Sequence, residues 1–212
     1  MKIISLGGSG ASRSIFKIIE KIDKFELKGF LDNRIPNENF VDGFRCLGKF
    51  YDAKFFKEKG YKFVTGIGSE KTFRNKSTKI YSYQLDENDF VKLISSNSII
   101  ETKSEYLKSG CVIFDDVFIG YQASIGSLTI INSKAYIGHE TEVGDYSFIG
   151  PNSTISGNTK ISSSVYIGAG ATIKDHVQIC SNVLIGCGAV VTKNIDSPGI
   201  YVGVPAKLLK NF

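Results

Sequence analysis

Two architectures follow one another in this sequence: a short parallel sheet with flanking helices, then a parallel β-helix. Two observations predict them. Up to about residue 90, apolar strands alternate with helix-spaced stretches, the signature of βαβ units. From Ile113 onward, every sixth residue is aliphatic through Ile119, Ile125, Ile131, Ile137, Val143, Ile149, Ile155, Ile161, Ile167, Ile173, Ile179, Ile185 and Val191. These are fourteen unbroken positions, twelve Ile and two Val. Such a period suits neither a 3.6-residue helix nor a hairpin sandwich. It suits a solenoid whose flat faces take one hexad each.

The N-terminal elements can be taken in order. Lys2 to Leu6 reads as a strand ending in Gly7-Gly8-Ser9-Gly10, and Ser14 to Ile22 places Ile15, Ile18, Ile19 and Ile22 at helical spacing. Phe25 to Leu31 is a second strand ending in Asp32-Asn33. Tyr51 to Lys59 reads as a helix, Lys62 to Ile67 as a strand, and Ser69 to Lys76 opens another helix. A parallel sheet of this kind forms a ligand crevice at the carboxyl ends of its strands.

In the second half, the residue four positions after each aliphatic one is always small or β-branched, from Val117 to Ile195. Gly directly follows the aliphatic residue at 120, 126, 138, 144, 150, 168 and 186, as a tight corner would favour. With three hexads per coil, the fourteen make nearly five coils.

Composition narrows the function. Of 212 residues, 42% are hydrophobic and 22% charged, ordinary for a globular protein. No apolar run reaches the roughly 18 residues of a membrane span. The early glycines do not fit a secretory leader, so the expected location is cytoplasmic. The four cysteines, Cys46, Cys111, Cys180 and Cys187, show no CxxC spacing, and two histidines cannot supply a three-histidine zinc site. No metal is expected. The net charge of +5 admits an anionic ligand, but no nucleic-acid motif accompanies it.

A general base at neutral pH calls for a side chain that titrates at about pH 7 and a partner that orients it. His139 follows a corner glycine and should project outward, with Glu140 beside it to orient the imidazole. His176 has no supporting motif. Gly8-Ser9-Gly10-Ala11-Ser12-Arg13 begins like a dinucleotide fingerprint without its third glycine, and about 90 residues supply only a mononucleotide-binding half. A glycine turn entering a helix still offers N–H groups to phosphate.

The motifs Ile137-Gly138-His139-Glu140, Ile155-Ser156-Gly157-Asn158 and Gly203-Val204-Pro205-Ala206-Lys207 carry a resemblance. So do Gly7-Gly8-Ser9-Gly10, Phe30-Leu31-Asp32-Asn33 and Gly66-Ile67-Gly68. Together they resemble the sialic-acid O-acetyltransferase-like family, which includes UDP-4-amino-sugar N-acetyltransferases, within the hexapeptide-repeat acyltransferases. The resemblance implies an α/β nucleotide-binding subdomain over residues 1–92. It implies a left-handed parallel β-helix with a coenzyme A-binding tail over residues 93–212. It also implies acetyl-CoA as co-substrate, a nucleotide-linked amino sugar as acceptor, and homotrimers with intersubunit sites.

Residue roles follow from the same resemblance. His139 would be the general base, supported by Glu140, and the Gly157 N–H would meet the thioester carbonyl. Ala169, Cys187, Gly203, Val204, Pro205 and Lys207 would line the coenzyme groove, largely through backbone. Gly8, Ser9 and Gly10 would meet the phosphates, and Asp32 with Asn33 would read uracil. Asn132 would line the acceptor pocket or serve as a left-handed corner residue. Three departures bear on substrate choice: Ala11 and Phe148 replace histidines, and Asn33 replaces an acidic residue. O-acetylation of sialic acid or a related sugar is the near alternative, and a non-catalytic sugar-nucleotide-binding protein the more distant one.

Overall fold

The computed structural model describes residues 1–212, the side chain of Ala11 excepted. The N-terminal sheet holds β1 (Lys2–Leu6), β2 (Glu26–Leu31), β3 (Phe40–Val41), β4 (Phe44–Gly48) and β5 (Lys62–Thr65), in the order β3-β4-β2-β1-β5. All neighbours are parallel except β3 and β4. That antiparallel pair was not anticipated, although its turn carries the left-handed residues Asp42 (φ 50°) and Gly43 (φ 83°).

Helix α1 (Ala11–Ile19) begins and ends three residues before the predicted span. Ile15, Ile18 and Ile19 are buried, while Ile22 packs on the same cluster from beyond the helix end. A 3₁₀ turn at Phe50–Asp52 leads into α2 (Ala53–Glu58). The helix expected from Ser69 instead starts as a hydroxyl-braced turn, Ser69 N–H donating to Thr72 Oγ1 at 2.9 Å, and becomes α3 only at Lys76–Ser82.

The hexads form a three-faced prism. Face one stacks Leu93–Ile94, Val112–Ile113, Ile130–Ile131, Phe148–Ile149, Tyr166–Ile167, Val183–Ile185 and Gly199–Val202 in parallel, and Lys207–Lys210 closes it antiparallel. Face two runs from Ile99–Ile100 through Tyr136–Ile137 to Val190–Val191, and face three from Ser124–Ile125 to Gln178–Ile179. Partners are 18 residues apart, as in Tyr136 with Thr154 and Ile137 with Ile155, so three hexads make each coil. The ladder residues fill the prism. Buried threonines share this interior and donate to carbonyls of the following coil: Thr129 Oγ1 to Gly144 O at 2.8 Å and Thr141 Oγ1 to Ser156 O at 3.0 Å. The position therefore tolerates a hydroxyl without an orphaned polar group.

The corner glycines serve a different purpose from the one expected. The left-handed residue of each hexad is the third after the aliphatic one: Asp116, Gln122, Leu128, Lys134, Glu140, Tyr146 and onward to Gly188. The glycines directly after the aliphatic residue permit close stacking instead. A Cβ on Gly138 would lie 2.5 Å from the Gly157 nitrogen, and one on Gly150 would lie 2.7 Å from that of Ala169.

The two parts meet at face one, where Leu128 and Tyr146 join the N-terminal core. Fully buried Lys76 sits at this contact, its Nζ donating to the Leu128 carbonyl. Burial pushes its ammonium from 10.5 down to about 7. The unfolded lysine keeps its proton to about 10.5, so unfolding takes up a proton between these values. Stability should therefore rise with pH across that window, by up to about 1.4 kcal/mol per unit. Urea titrations at pH 7, 8 and 9 should show a flatter dependence for Lys76→Met; an unchanged slope would assign the effect elsewhere.

Candidate active site

Two prism edges carry the residues singled out by sequence. The edge between faces two and three stacks residues 138–140 on 156–158, with Asn158 N–H donating to His139 O at 2.9 Å. The His139 side chain is 59% exposed. Its Nδ1 lies 3.1 Å from Glu140 Oε2. The carboxylate only accepts, so the neutral ring carries its proton on Nδ1 and leaves Nε2 as the free base. The imidazole lies over Gly157, where an added Cβ would come within 2.6 Å of Nε2. Among the described residues the Gly157 N–H has no acceptor. A base and a free backbone donor thus share one corner.

The edge between faces one and two holds Asn132, Ala169 and Cys187, linked by Gly188 N–H to Ala169 O at 2.9 Å. Val202 packs beneath Gly186, its Cγ1 2.8 Å from where a Cβ would lie, which extends this edge into the tail. Val190 ties the tail down, donating to Gly203 O at 3.0 Å and accepting from Ala206 N–H at 2.8 Å. Pro205 and Lys207 line a cleft beside this turn, and Val204 is exposed. The N–H groups of Ala169 and Cys187 have no acceptor among the described residues, which suits a ligand held by backbone. Asn132 is not a left-handed corner residue; its Nδ2 donates to Ile149 O at 2.9 Å. Within one chain, face two separates this edge from His139. His176 sits two corners below His139, exposed, with Asp175 its nearest charged partner.

The N-terminal part contains a cavity of about 530 Å³ at the carboxyl ends of β1, β2 and β5. Ser9, Gly10, Asp32 and Asn33 line it, together with Arg34, Phe50, Ile67, Lys79 and Tyr83. Gly8 does not line it. Its N–H donates to Asp32 at 3.0 Å, and a Cβ there would strike the Phe30 ring at 2.2 Å. Gly8 serves packing and loop geometry, while the N–H groups of Ser9 and Gly10 remain without acceptors among the described residues. Arg34 reaches back to Ser9 Oγ at 2.8 Å. Phe148 stacks on Tyr166 with centroids 4.6 Å apart and meets the cavity wall beneath Gly68. The Ala11 side chain lies outside the described residues.

The PglD N-terminal domain model matches residues 2–80, and the bacterial transferase hexapeptide model matches 122–157 and 158–193. Residues 2–80 are thus similar to the PglD N-terminal domain, and residues 122–193 carry the bacterial transferase hexapeptide repeat. No curated protein matches this chain by sequence. Its fold is similar to that of a histidine-to-asparagine variant of perosamine N-acetyltransferase from Caulobacter crescentus, in complex with CoA and GDP-perosamine. The TM-score is 0.85 at 21% identity, covering 98% of this chain and 96% of that one. The acetyltransferase domain of PglB from Neisseria gonorrhoeae, in complex with acetyl coenzyme A, gives 0.85 at 21%, covering 98% of both chains. WeeI from Acinetobacter baumannii gives 0.80 at 21%, covering 99% and 100%. These likenesses establish the left-handed β-helix behind an α/β domain.

Cavity residues that sequence reading missed include Arg34, Phe50, Lys79 and Tyr83. Only Arg34 carried a local signal, following Asp32-Asn33 directly. The others come from the 3₁₀ turn at Phe50–Asp52 and from α3 with its C-cap, which converge on folding. Among the described residues there is no helix long and apolar enough to cross a membrane, and no cluster of three metal-ligating side chains.

Proposed function

We propose that this chain transfers an acetyl group from acetyl-CoA to the amine of a nucleotide-linked sugar, of the UDP-4-amino class, in surface-glycan biosynthesis in the cytoplasm. The observation that carries the reading is the corner where Glu140-oriented His139 faces the free Gly157 N–H. As the acceptor amine attacks the thioester carbonyl, His139 Nε2 takes its proton and the Gly157 N–H stabilises the oxyanion. Collapse then expels the coenzyme thiolate, which the imidazolium can reprotonate. The structural relatives bound to CoA, acetyl coenzyme A and GDP-perosamine support this chemistry.

In this reading residues 1–92 hold the nucleotide sugar, and residues 93–212 hold the coenzyme and the base. Gly8 shapes the phosphate loop while Ser9 and Gly10 contact it. Asn132 borders the acceptor; Ala169, Cys187, Gly203, Val204, Pro205 and Lys207 border the coenzyme. The site is shared between copies of a homotrimer. Face two lies between Asn132 and His139 within one protomer, so one nucleotide sugar reaches both types of residue more simply across an interface. Face two suits that interface: exposed Ile99 and Tyr136 flank Phe118, which stacks on Tyr136 at 4.9 Å.

A thiol-release assay over nucleotide-linked amino sugars and free sugars tests the assignment. Turnover is expected only with an amine acceptor joined to a nucleotide. Rapid turnover solely with hydroxyl acceptors would replace it by O-acetylation, and failure to bind or consume acetyl-CoA by a binding role.

A further inference from the structure

His139 shares its edge with a second ring. One coil above it the same corner position carries Tyr121, whose carbonyl accepts the Glu140 N–H at 2.8 Å. Coils stack about 4.8 Å apart, so Tyr121, His139 and Gly157 form one outward column. The two ring residues are braced alike. Each is followed by a left-handed residue, Gln122 (φ 55°) and Glu140 (φ 56°). Gln122 Nε2 donates to the Tyr121 hydroxyl at 3.3 Å, as Glu140 Oε2 meets His139 Nδ1 at 3.1 Å. The phenol is thus oriented by the same device as the base.

Tyr121 is nevertheless 62% exposed. Phe118 and Tyr136 stack on each other, as do Phe148 and Tyr166; Tyr121 has no such partner among the described residues. Ordering this side chain gains little burial from the chain itself. Its position says what could cover it. His139 Nε2 lies over Gly157, in the coil below, which places the thioester carbonyl on that side. The corners of Ala169, Cys187 and Gly203 lie lower still. The other side of the imidazole is left to the acceptor, and the next side chain in the column there is Tyr121. A pyranose presents a face of slightly positive C–H bonds, and the face of a phenol is the negative side of its quadrupole. Stacking the two also removes apolar surface from water.

We propose that Tyr121 is a specificity-determining residue of the acceptor site, stacking on the sugar ring so that its amine reaches His139 Nε2. The ligand class is a pyranose that keeps one C–H-lined face free of polar substituents. The inference rests on the acetyl-transfer reading above and adds the group that holds the sugar itself, apart from its nucleotide.

Steady-state kinetics of the full chain with acetyl-CoA test it, using UDP-, dTDP- and GDP-linked 4-amino-4-deoxyhexoses as acceptors. Tyr121→Ala should raise the acceptor KM about tenfold. The loss should fall on KM more than on kcat, as removal of uniform binding does. The acetyl-CoA KM, the affinity for UDP alone and the assembly size should not change. Tyr121→Leu, which keeps apolar bulk without the π face, should resemble alanine. Tyr121→Phe, which keeps the ring, should restore the acceptor KM to within about twofold of wild type. An unchanged acceptor KM in Tyr121→Ala would overturn the inference and leave acetyl transfer standing. So would a weakened assembly or a raised acetyl-CoA KM, which would make Tyr121 an interface or coenzyme residue. Tyr121→Phe as impaired as alanine, or Tyr121→Leu as active as wild type, would equally remove the stacking role. A wild type that turns over none of the amino sugars would overturn both readings.

Discussion

His139→Ala should lower kcat by about 10²- to 10⁴-fold, the contribution of a positioned general base. The fold should not respond, because the side chain is 59% exposed and lies outside the prism core. Thermal melting and assembly size should therefore match the wild type, and acetyl-CoA should still bind. The loss should fall on kcat more than on KM, since proton removal belongs to the transition state and not to the bound ground state. Single-turnover release of coenzyme thiol measures the chemical step directly. Near-normal turnover would take His139 out of the chemistry.

The second large effect should come from a residue with no side chain. Gly157 does not have a positive φ, so alanine fits its backbone. An added Cβ would instead sit 2.6 Å from His139 Nε2 and 2.8 Å from Cε1. The ring must swing away, carrying its basic nitrogen off the line of attack. A misplacement of about 1 Å costs on the order of 10²-fold, and Gly157→Ala should lose about that much in kcat with an unchanged circular dichroism spectrum. Gly138→Ala makes a contrasting control. Its Cβ meets backbone, 2.5 Å from the Gly157 nitrogen, and should disturb the coil itself. Full activity in Gly157→Ala would show that the reacting imidazole does not rest on this glycine.

The prism was legible because its period is written in one residue type, and each buried isoleucine answers directly to hydrophobic burial. The corners were less so. Their left-handed positions carry Asp116, Gln122, Leu128, Lys134 and Tyr146, which share no chemistry, whereas the conspicuous glycines answer to the coil stacked beside them. The β3–β4 turn had a usable signal in Asp42-Gly43, a pair suited to a left-handed hairpin turn. His139 and Glu140 were readable because adjacent residues at a corner remain neighbours in space. The aromatic wall was not, since Phe50 and Tyr83 are separated by α2, β5 and α3 and meet only after the sheet forms. Asp32 was found for its position at a strand end, where its carboxylate accepts the Gly8 and Arg34 N–H groups. Sequence shows an acid at a strand end but not that two backbone amides already hold it.

From Val112 to Val191 no loop interrupts the 18-residue pairing of coils. Length in this region is therefore quantised. A one-residue deletion after Val143 would turn every later isoleucine from the interior to the outside of its face. Removal of 18 residues would restore each of them to its place and shorten the prism by one storey. Yet His139 and Gly157 stand one coil apart, so their spacing admits no such excision. Height in this prism can change only in whole storeys, and the storey joining His139 to Gly157 is fixed.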